Sequence, residues 1–508
     1  MPEPRTPLAF NSPHYQSALH MHAAQGVHDA ASLRRSLQDE REVWYDGQRV
    51  DVLRHPAFAG VLDTLCELYE LQAHGPDSAQ MCWTSPESGQ RLSLSYLAPS
   101  TPQQLSAKIA NSHLWMRHSH GQLPRIPDFM ANVVVGLYDY RQELAAVQPQ
   151  FGANAERYYR YCREHDIVLT HAIGDPQIDR SASLAEHPDY ALRVVERRSD
   201  GVVVRGAKQL ATLAPYCHEV LVYLSPAFFM RESPQYVIWF ALPVATPGLR
   251  LMCREAQSPN ATGFRHDLSA RYDEQDAMLF FDDVFVPNER IFLLDDSATA
   301  ARGFPRLSAW ALMAGQVRYY HRLRTFLGVA SLAAQSIGVD QFREVADMLG
   351  ELTSYVELMR LALQGLEQGA RRTSSGLLAP GVTLAMDAFA AQTTTRVAHM
   401  LRVICGSGLV MQPSEADLRN PVLRPLLERY MCGKDVSVAF KSRLFRLAAE
   451  LVSERFGMRQ ELYEMWNRGD VVRNRMALYA SYPERAEIEA QVRALLQRGT
   501  DALEGANP

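Results

Sequence analysis

Apolar positions along the chain switch from helical to strand-like spacing and back again. Early on, Leu33 and Leu37 after Ser32 suggest a short helix, and Val43, Trp44 and Tyr45 before Asp46-Gly47 suggest a hairpin. Phe58 to Leu71 carries Val61, Leu62, Leu65, Leu68 and Leu71 at helical intervals, and residues 102–120 and 128–165 also read as helices. From Asp166 the texture changes. Leu192–Val195, Val202–Val204, Val220–Leu224, Tyr236–Leu242 and Met278–Val286 are runs rich in β-branched and aromatic residues, ended by Pro243, Pro247 and Pro287. Ser199-Asp200-Gly201 marks a turn between the first two, because Gly accepts the positive φ that such turns need. From Ser308 onward helices return. Met348, Leu349, Leu352, Val356, Met359, Leu363 and Leu366 form one stripe, and Phe440, Leu444, Leu447 and Leu451 another, with Gly457 as the expected stop. Such stripes are core packing in a bundle. Thr373–Pro380 reads as a loop, and residues 254–273 as a long polar loop of the kind that forms lids over a pocket.

The pattern predicts an α+β, mostly helical chain in four parts: a flexible lead-in over 1–35, a helical domain over 36–165, a strand-rich domain over 166–295 and a helical bundle over 296–508. The composition of the 508 residues, 47% apolar and 21% charged, is that of ordinary globular domains. A net charge of −5 gives no footprint for nucleic acid, which requires a basic face. No run of eighteen apolar residues exists to span a membrane, and the first residues lack a basic-then-apolar signal pattern. The seven cysteines, at 66, 82, 162, 217, 253, 405 and 432, are scattered and form no C-x-x-C pair. This usage points to a reduced, cytoplasmic protein without a disulfide framework. His113, His118 and His120 lie close together but lack acidic or thiol partners at ligand spacing; they read as a solvated helix face, and no metal site is expected. Neither a dinucleotide fingerprint nor a P-loop occurs.

Chemistry concentrates between Asp166 and Leu224. Thr170-His171-Ala172-Ile173 runs into Asp175-Pro176-Gln177-Ile178-Asp179-Arg180, and Arg205-Gly206-Ala207-Lys208 leads to Leu210-Ala211-Thr212. Together with Phe281–Arg290, Gly406–Ser414 and Phe456–Glu464, these segments resemble, in order, the oxygenase-component family of 4-hydroxyphenylacetate 3-hydroxylase. The resemblance covers most of the chain. It implies the acyl-CoA dehydrogenase fold, with an N-terminal helical domain, a β-barrel-like middle and a C-terminal helical bundle. It also implies a two-component monooxygenase that uses reduced FAD from a separate NAD(P)H:flavin reductase. With O2 as co-substrate, a C4a-hydroperoxyflavin would hydroxylate a phenol ortho to its hydroxyl. Assembly as a homo-oligomer, a dimer or tetramer, follows from the same resemblance.

Phenol hydroxylation favours the phenolate, and an unperturbed phenol ionises near pH 10. A fixed positive charge within about 4–6 Å and a hydrogen bond to the oxygen both favour that form. By resemblance, Arg125 and His171 are the catalytic pair holding the substrate hydroxyl. The family's Arg-x-x-Asp-Tyr segment is here Arg125-Ile126-Pro127-Asp128-Phe129, so Phe129 keeps a ring but donates no hydrogen bond. Leu224 and Ser225 fall where the family prototype holds a substrate carboxylate, and Leu224 is a poor partner for one. Either Arg125 and His171 suffice for a bulkier or differently substituted phenol, or the acceptor is less phenol-like. Gln177, Ile178, Asp179 and Arg180, with His171, are expected against the isoalloxazine and ribityl chain, and Thr212 near flavin N5. Gly457, Met458, Arg459 and Gln460 are expected at the nucleotide half, with Arg459 near a phosphate. Two alternatives stay open: a dehydratase of the 4-hydroxybutyryl-CoA type, which needs several cysteines around an iron–sulfur cluster, and a flavin-binding protein without turnover.

Overall fold

A computed structural model describes residues 26–179, 181, 184–223, 234–257 and 264–504. The first described helix, α1 (Ala30–Ser36), is fixed by a capping box at Asp29, so ordered structure begins inside the expected lead-in. The hairpin of β1 (Glu42–Tyr45) and β2 (Gln48–Arg49) turns at Asp46 and Gly47, whose φ values of 49° and 73° suit a two-residue turn. Helix α2 (Pro56–His74) starts with Pro at its first turn and buries Phe58, Val61, Leu62, Leu65 and Leu68. A short hairpin, β3 (Cys82–Thr84) and β4 (Arg91–Ser93), leads to α3 (Pro102–His118).

The single helix expected over 128–165 is three: α4 (Pro127–Asp139), α5 (Arg141–Val147) and α6 (Pro149–Glu164). Pro149 is the reason for the last break, since it forces Gln148 into an extended conformation (φ −152°, ψ 126°). Helix α4 is buried almost throughout and crosses α8 (Ser297–Ser336) at Gly136. A Cβ at Gly136 would lie 2.4 Å from the Leu307 carbonyl oxygen, so only glycine permits this approach.

Strand-rich residues form two sheets. The larger has the order β2-β1-β10-β11-β7-β6, where β6 is Arg193–Arg197, β7 Gly201–Thr212, β10 Leu249–Cys253 and β11 Asp276–Pro287. The smaller has the order β12-β9-β8-β5, where β5 is Leu169–Ala172, β8 Glu219–Val222, β9 Ile238–Pro243 and β12 Ile291–Leu294. Neither closes on itself, so the barrel-like expectation is corrected to a pair of open sheets. The expected turn after Arg198 does join β6 to β7 as an antiparallel pair. β1, the expected hairpin strand inside the mostly helical first third, also pairs parallel with β10 (Val43 against Leu251), tying the first third of the chain to the middle.

The C-terminal part packs around the 40-residue α8: α9 (Arg343–Gln368), α10 (Leu384–Cys405) and α13 (Val438–Val452) all lie against it. Short helices α11 (Glu415–Arg419) and α12 (Arg424–Tyr430) precede α13, and α14 (Arg455–Trp466), α15 (Val471–Ser481) and α16 (Arg485–Glu504) follow; the label α7 belongs to the single turn Ser269–Tyr272. The loop expected over Thr373–Pro380 includes one strand of a small hairpin, Arg371–Arg372 with Leu378–Ala379. Gly457 does not stop α13, which ends at Val452 with Ser453 as its cap; it sits inside α14, where a Cβ would lie 2.3 Å from the Leu451 carbonyl oxygen. Close helix contact, not chain termination, is its role.

Candidate active site

The segment before α4, the end of β5 and helix α14 converge on one buried cluster. Arg125 lies two residues before the proline that opens α4, and Phe129 lies in the first turn. The Arg125 guanidinium carbon sits 4.2 Å from the centre of the Phe129 ring and 5.0 Å from that of Tyr463 on α14. Phe129 in turn meets His171 of β5 edge to face, with ring centres 5.9 Å apart. Arg125, Phe129 and His171, far apart in sequence, thus share one wall. The ring that replaces the family tyrosine acts as a platform: its face holds the guanidinium by cation–π attraction, and it also contacts the imidazole.

Two further tyrosines supply hydroxyls that Phe129 lacks. An Arg125 Nη donates to the Tyr463 hydroxyl. His171 Nδ1 lies 3.0 Å from the hydroxyl of Tyr223, the residue after β8. Burial, reinforced by the Arg125 charge, holds the His171 imidazole well below its ordinary pKa, so the ring is neutral near pH 7. Burial raises both phenols, against the opposing charge of Arg125, so both keep their protons. Arg125 Nε is buried without a hydrogen-bond partner among the described residues. A buried guanidinium with unused donors suits an anionic oxygen.

Behind Arg125 lies an ion cluster absent from the sequence expectations. The Arg125 backbone N–H donates to a Glu274 carboxylate oxygen. The other Glu274 oxygen accepts from Arg459 at 3.1 Å, and Arg459 also donates twice to Asp276, each at 2.6 Å. Arg254 completes the cluster, donating to Asp276 at 2.9 Å and to Asp273 at 2.5 Å. Burial alone would raise Asp276, but the Arg459 and Arg254 guanidiniums overrule it and hold the carboxyl well below its usual range. Burial dominates at Glu274 and raises it. Arg459, expected near a phosphate, is held in this structure by two carboxylates, Glu274 just before β11 and Asp276 at its start.

The same cluster reaches Thr212. Its hydroxyl donates to Asp276 at 2.7 Å, and the Thr170 hydroxyl donates to its carbonyl at 2.7 Å, which places Thr212 beside the strand bearing His171. Leu210 and Leu213 flank it in the left-handed region at φ 57° and 64°. Each such leucine costs on the order of 1–3 kcal/mol and persists only where its surroundings impose it, a pattern common at functional sites. The loop expected at the flavin is drawn onto β7 by a bridge between Gly174 and Gln209 and by an ion pair between Lys208 and Asp175 (2.6 Å). Beyond it Gln177, Ile178 and Asp179 are exposed. Ile178 and Leu210 leave apolar side chains exposed beside this bridge, at 41% and 64%.

Other expectations separate. Arg180, Leu224 and Ser225 lie outside the described residues, as do residues 258–263 of the expected lid. The later part of that loop is tied to α13: Glu450 accepts from the backbone of Leu268 and Ser269 and from the Ser269 hydroxyl. Gly457 and Gln460 are buried, Gln460 donating to the Gln122 carbonyl, while Met458 faces outward. Of the three neighbouring histidines, His120 is exposed and His113 and His118 are half-buried; His113 Nδ1 lies 3.1 Å from Nε2 of His321 on α8. Among the described residues, the one group with metal-ligating geometry is His266, Glu450 and Glu454, which contains no cysteine. Six of the seven cysteines are buried and dispersed, which gives no support to the iron–sulfur dehydratase alternative. Tyr223, Tyr463, Glu274 and Asp276 were missed in the sequence; only Tyr463 carried a signal, as part of the Phe456–Glu464 segment.

Residues 30–293 match the N-terminal family of 4-hydroxyphenylacetate 3-hydroxylase, and residues 300–497 match its C-terminal family. The 4-hydroxyphenylacetate 3-monooxygenase oxygenase component of Thermus thermophilus is 35% identical over 469 residues, covering 91% of this chain and 95% of that one. A crystal structure of such an oxygenase component, complexed with FAD and 4-hydroxyphenylacetate, superposes with a TM-score of 0.87 at 33% identity, covering 94% of this chain and all of that one. A 4-hydroxybutyryl-CoA dehydratase from N. maritimus shares the fold alone, with a TM-score of 0.82 at 19% identity, covering 95% of this chain and 96% of the other. Matching sequence from α1 to α16, a shared fold and a guanidinium–imidazole pair around one aromatic ring agree: this chain is a member of the 4-hydroxyphenylacetate 3-hydroxylase family.

Proposed function

We propose that this chain is the oxygenase component of a two-component monooxygenase that hydroxylates a phenolic substrate ortho to its hydroxyl, taking reduced FAD from a separate NAD(P)H:flavin reductase. The observation that carries this reading is the meeting of Arg125 and His171 around Phe129. FAD, when bound reduced, supplies the activation of O2; the protein supplies position, field and exclusion of water. Arg125 stabilises the substrate oxygen as an anion, since its charge is fixed and its buried Nε has no hydrogen-bond partner among the described residues. His171, neutral and buried, adds a hydrogen bond. Gln177, Ile178 and Asp179 would hold the flavin's edge and Thr212 would lie toward its N5; Arg180 for the flavin, and Leu224 and Ser225 for the far end of the substrate, join them by sequence position alone. Gly457, Met458 and Gln460 belong to the nucleotide end by sequence position, beside Arg459, whose guanidinium is held by Asp276 and Glu274. Residues 264–273 of the expected lid, held on α13 by Glu450, shield the site from water.

The substrate differs from a simple hydroxyphenylacetate. Phe129 cannot donate to the phenol oxygen, and Leu224 cannot pair a carboxylate, so a bulkier or differently substituted phenol fits better. A homo-oligomer is part of the same reading. Helix α14, which carries Tyr463 and Arg459 inward, presents Met458, Leu462 and Trp466 outward at 57%, 47% and 60% exposure. A second copy covering that face would bury it. Among the described residues no helix is long and apolar enough to cross a membrane, and a cytoplasmic location accords with seven free cysteines.

The test supplies purified protein with enzymatically reduced FAD, O2 and a panel of para-substituted phenols, and follows catechol formation by mass spectrometry. Catechol from at least one phenol is expected. Peroxide alone across a broad panel, with FAD bound, would replace this reading with that of a flavin-binding protein without turnover.

A further inference from the structure

Tyr223 is a buried phenol whose one hydrogen bond among the described residues is to His171 Nδ1, at 3.0 Å. Its ring is wedged by Trp239 (centres 6.3 Å apart) and Phe304 (6.0 Å), so the hydroxyl has little freedom to turn elsewhere. Only one assignment of the shared proton satisfies both groups. If Nδ1–H donated to the phenol oxygen, the Tyr223 proton would be left in a buried setting with no acceptor among the described residues. If the phenol donates to Nδ1, both groups are satisfied and the imidazole proton sits on Nε2. We propose that Tyr223 fixes His171 in the Nε2–H tautomer, so that His171 meets the substrate oxygen as a hydrogen-bond donor and never as its base.

This inference rests on the proposed binding of a phenol between Arg125 and His171, and it changes how that phenol loses its proton. The groups facing His171 are Arg125 and Phe129 from the α4 side and Tyr223 from the end of β8; no carboxylate contacts it among the described residues. Arg125 has no site to accept a proton, and both imidazole nitrogens are already committed. When the phenol O–H bond breaks, the electron pair stays on the oxygen, facing two donors, and the proton leaves to solvent. Tyr223 is thus a positioning residue acting through His171.

The prediction is read without turnover, on protein loaded with oxidised FAD. A substrate phenol is titrated calorimetrically at pH 7 in buffers of different ionisation enthalpy, and the ultraviolet difference spectrum reports the protonation state of the bound phenol. The wild type releases about one proton per phenol bound and shows the phenolate band, although a free phenol ionises near pH 10. In Tyr223→Phe the imidazole is free to adopt the other tautomer and accept the phenol proton. Release then falls to less than about half, while phenol affinity changes by less than about tenfold. Equal release by the two proteins overturns the assignment, as does a wild type that binds phenol in its neutral form; the wild-type arm decides even if the variant fails to fold. A wild type that binds no phenol in the panel refutes the proposed function and takes this inference with it. Catechol production without proton release leaves the proposed function standing and sinks only the tautomer assignment.

Discussion

Replacing Tyr463 by Phe isolates one interaction at the centre of the site. Phe keeps the ring, so the cation–π contact with Arg125 at 5.0 Å and the packing against Arg318 at 5.2 Å survive. Only the hydroxyl that accepts from Arg125 is removed. A hydrogen bond to a charged group contributes about 1.5–3 kcal/mol. Here the lower end applies, because Phe129 still holds the guanidinium at 4.2 Å and the Arg125 backbone stays tied to Glu274. About 1.5 kcal/mol corresponds to roughly a tenfold loss of kcat/KM. On the proposed reading Arg125 faces the substrate oxygen before and during reaction, so the loss divides between a higher KM and a larger share of reduced FAD spent on peroxide. Stopped-flow mixing of the reduced-FAD complex with oxygenated phenol, with catechol and peroxide counted in the same samples, measures both. A kcat/KM within twofold of wild type would show that Tyr463 does not position Arg125, and the reasoning would fail.

Three other outcomes follow from groups outside the reacting pair. Asp276→Asn keeps the shape but removes the charge shared by Arg254 and Arg459, and weakening such a buried pair costs about 3 kcal/mol; urea unfolding reads this as a lower midpoint, and an unchanged midpoint refutes the cluster's role. Gly457→Ala forces a Cβ to within 2.3 Å of the Leu451 carbonyl oxygen, and the resulting overpacking between α13 and α14 destabilises by about 1–3 kcal/mol; a thermal midpoint equal to wild type contradicts it. Asp166 accepts from the His28 backbone and from Gln72, and burial raises it from 3.8 to about 7. Between those values the folded protein binds more protons than the unfolded chain, so this group's contribution favours folding at low pH and is lost as pH rises toward 7, by at most about 4 kcal/mol. Asp166→Asn should remove that slope and raise stability at pH 8, as denaturant melts at several pH values will show; a slope unchanged by the substitution refutes the assignment.

Much of the fold was legible because its signals are local. Helical stripes such as Phe58–Leu71, the Asp46-Gly47 turn and the β-branched runs of β7 to β11 depend on neighbours a few residues away. Pro149 was just as visible, and reading through it made three helices into one. The site was legible in part: Arg125, His171 and Thr212 stand in motifs whose order survives in one dimension. Partner choice is not local, and there the sequence was silent. Arg459 looks the same whether it awaits a phosphate or is held by carboxylates 185 and 183 positions earlier in the chain. Tyr223 looks like the end of a strand until folding sets it 3.0 Å from an imidazole 52 residues upstream. Residue types determined which chemistry was available, an arginine, an imidazole and an aromatic ring. Only tertiary packing, by burying those groups and fixing which donor faces which acceptor, decided their protonation and roles, because desolvation and charge–charge energies depend on distances through space and not along the chain.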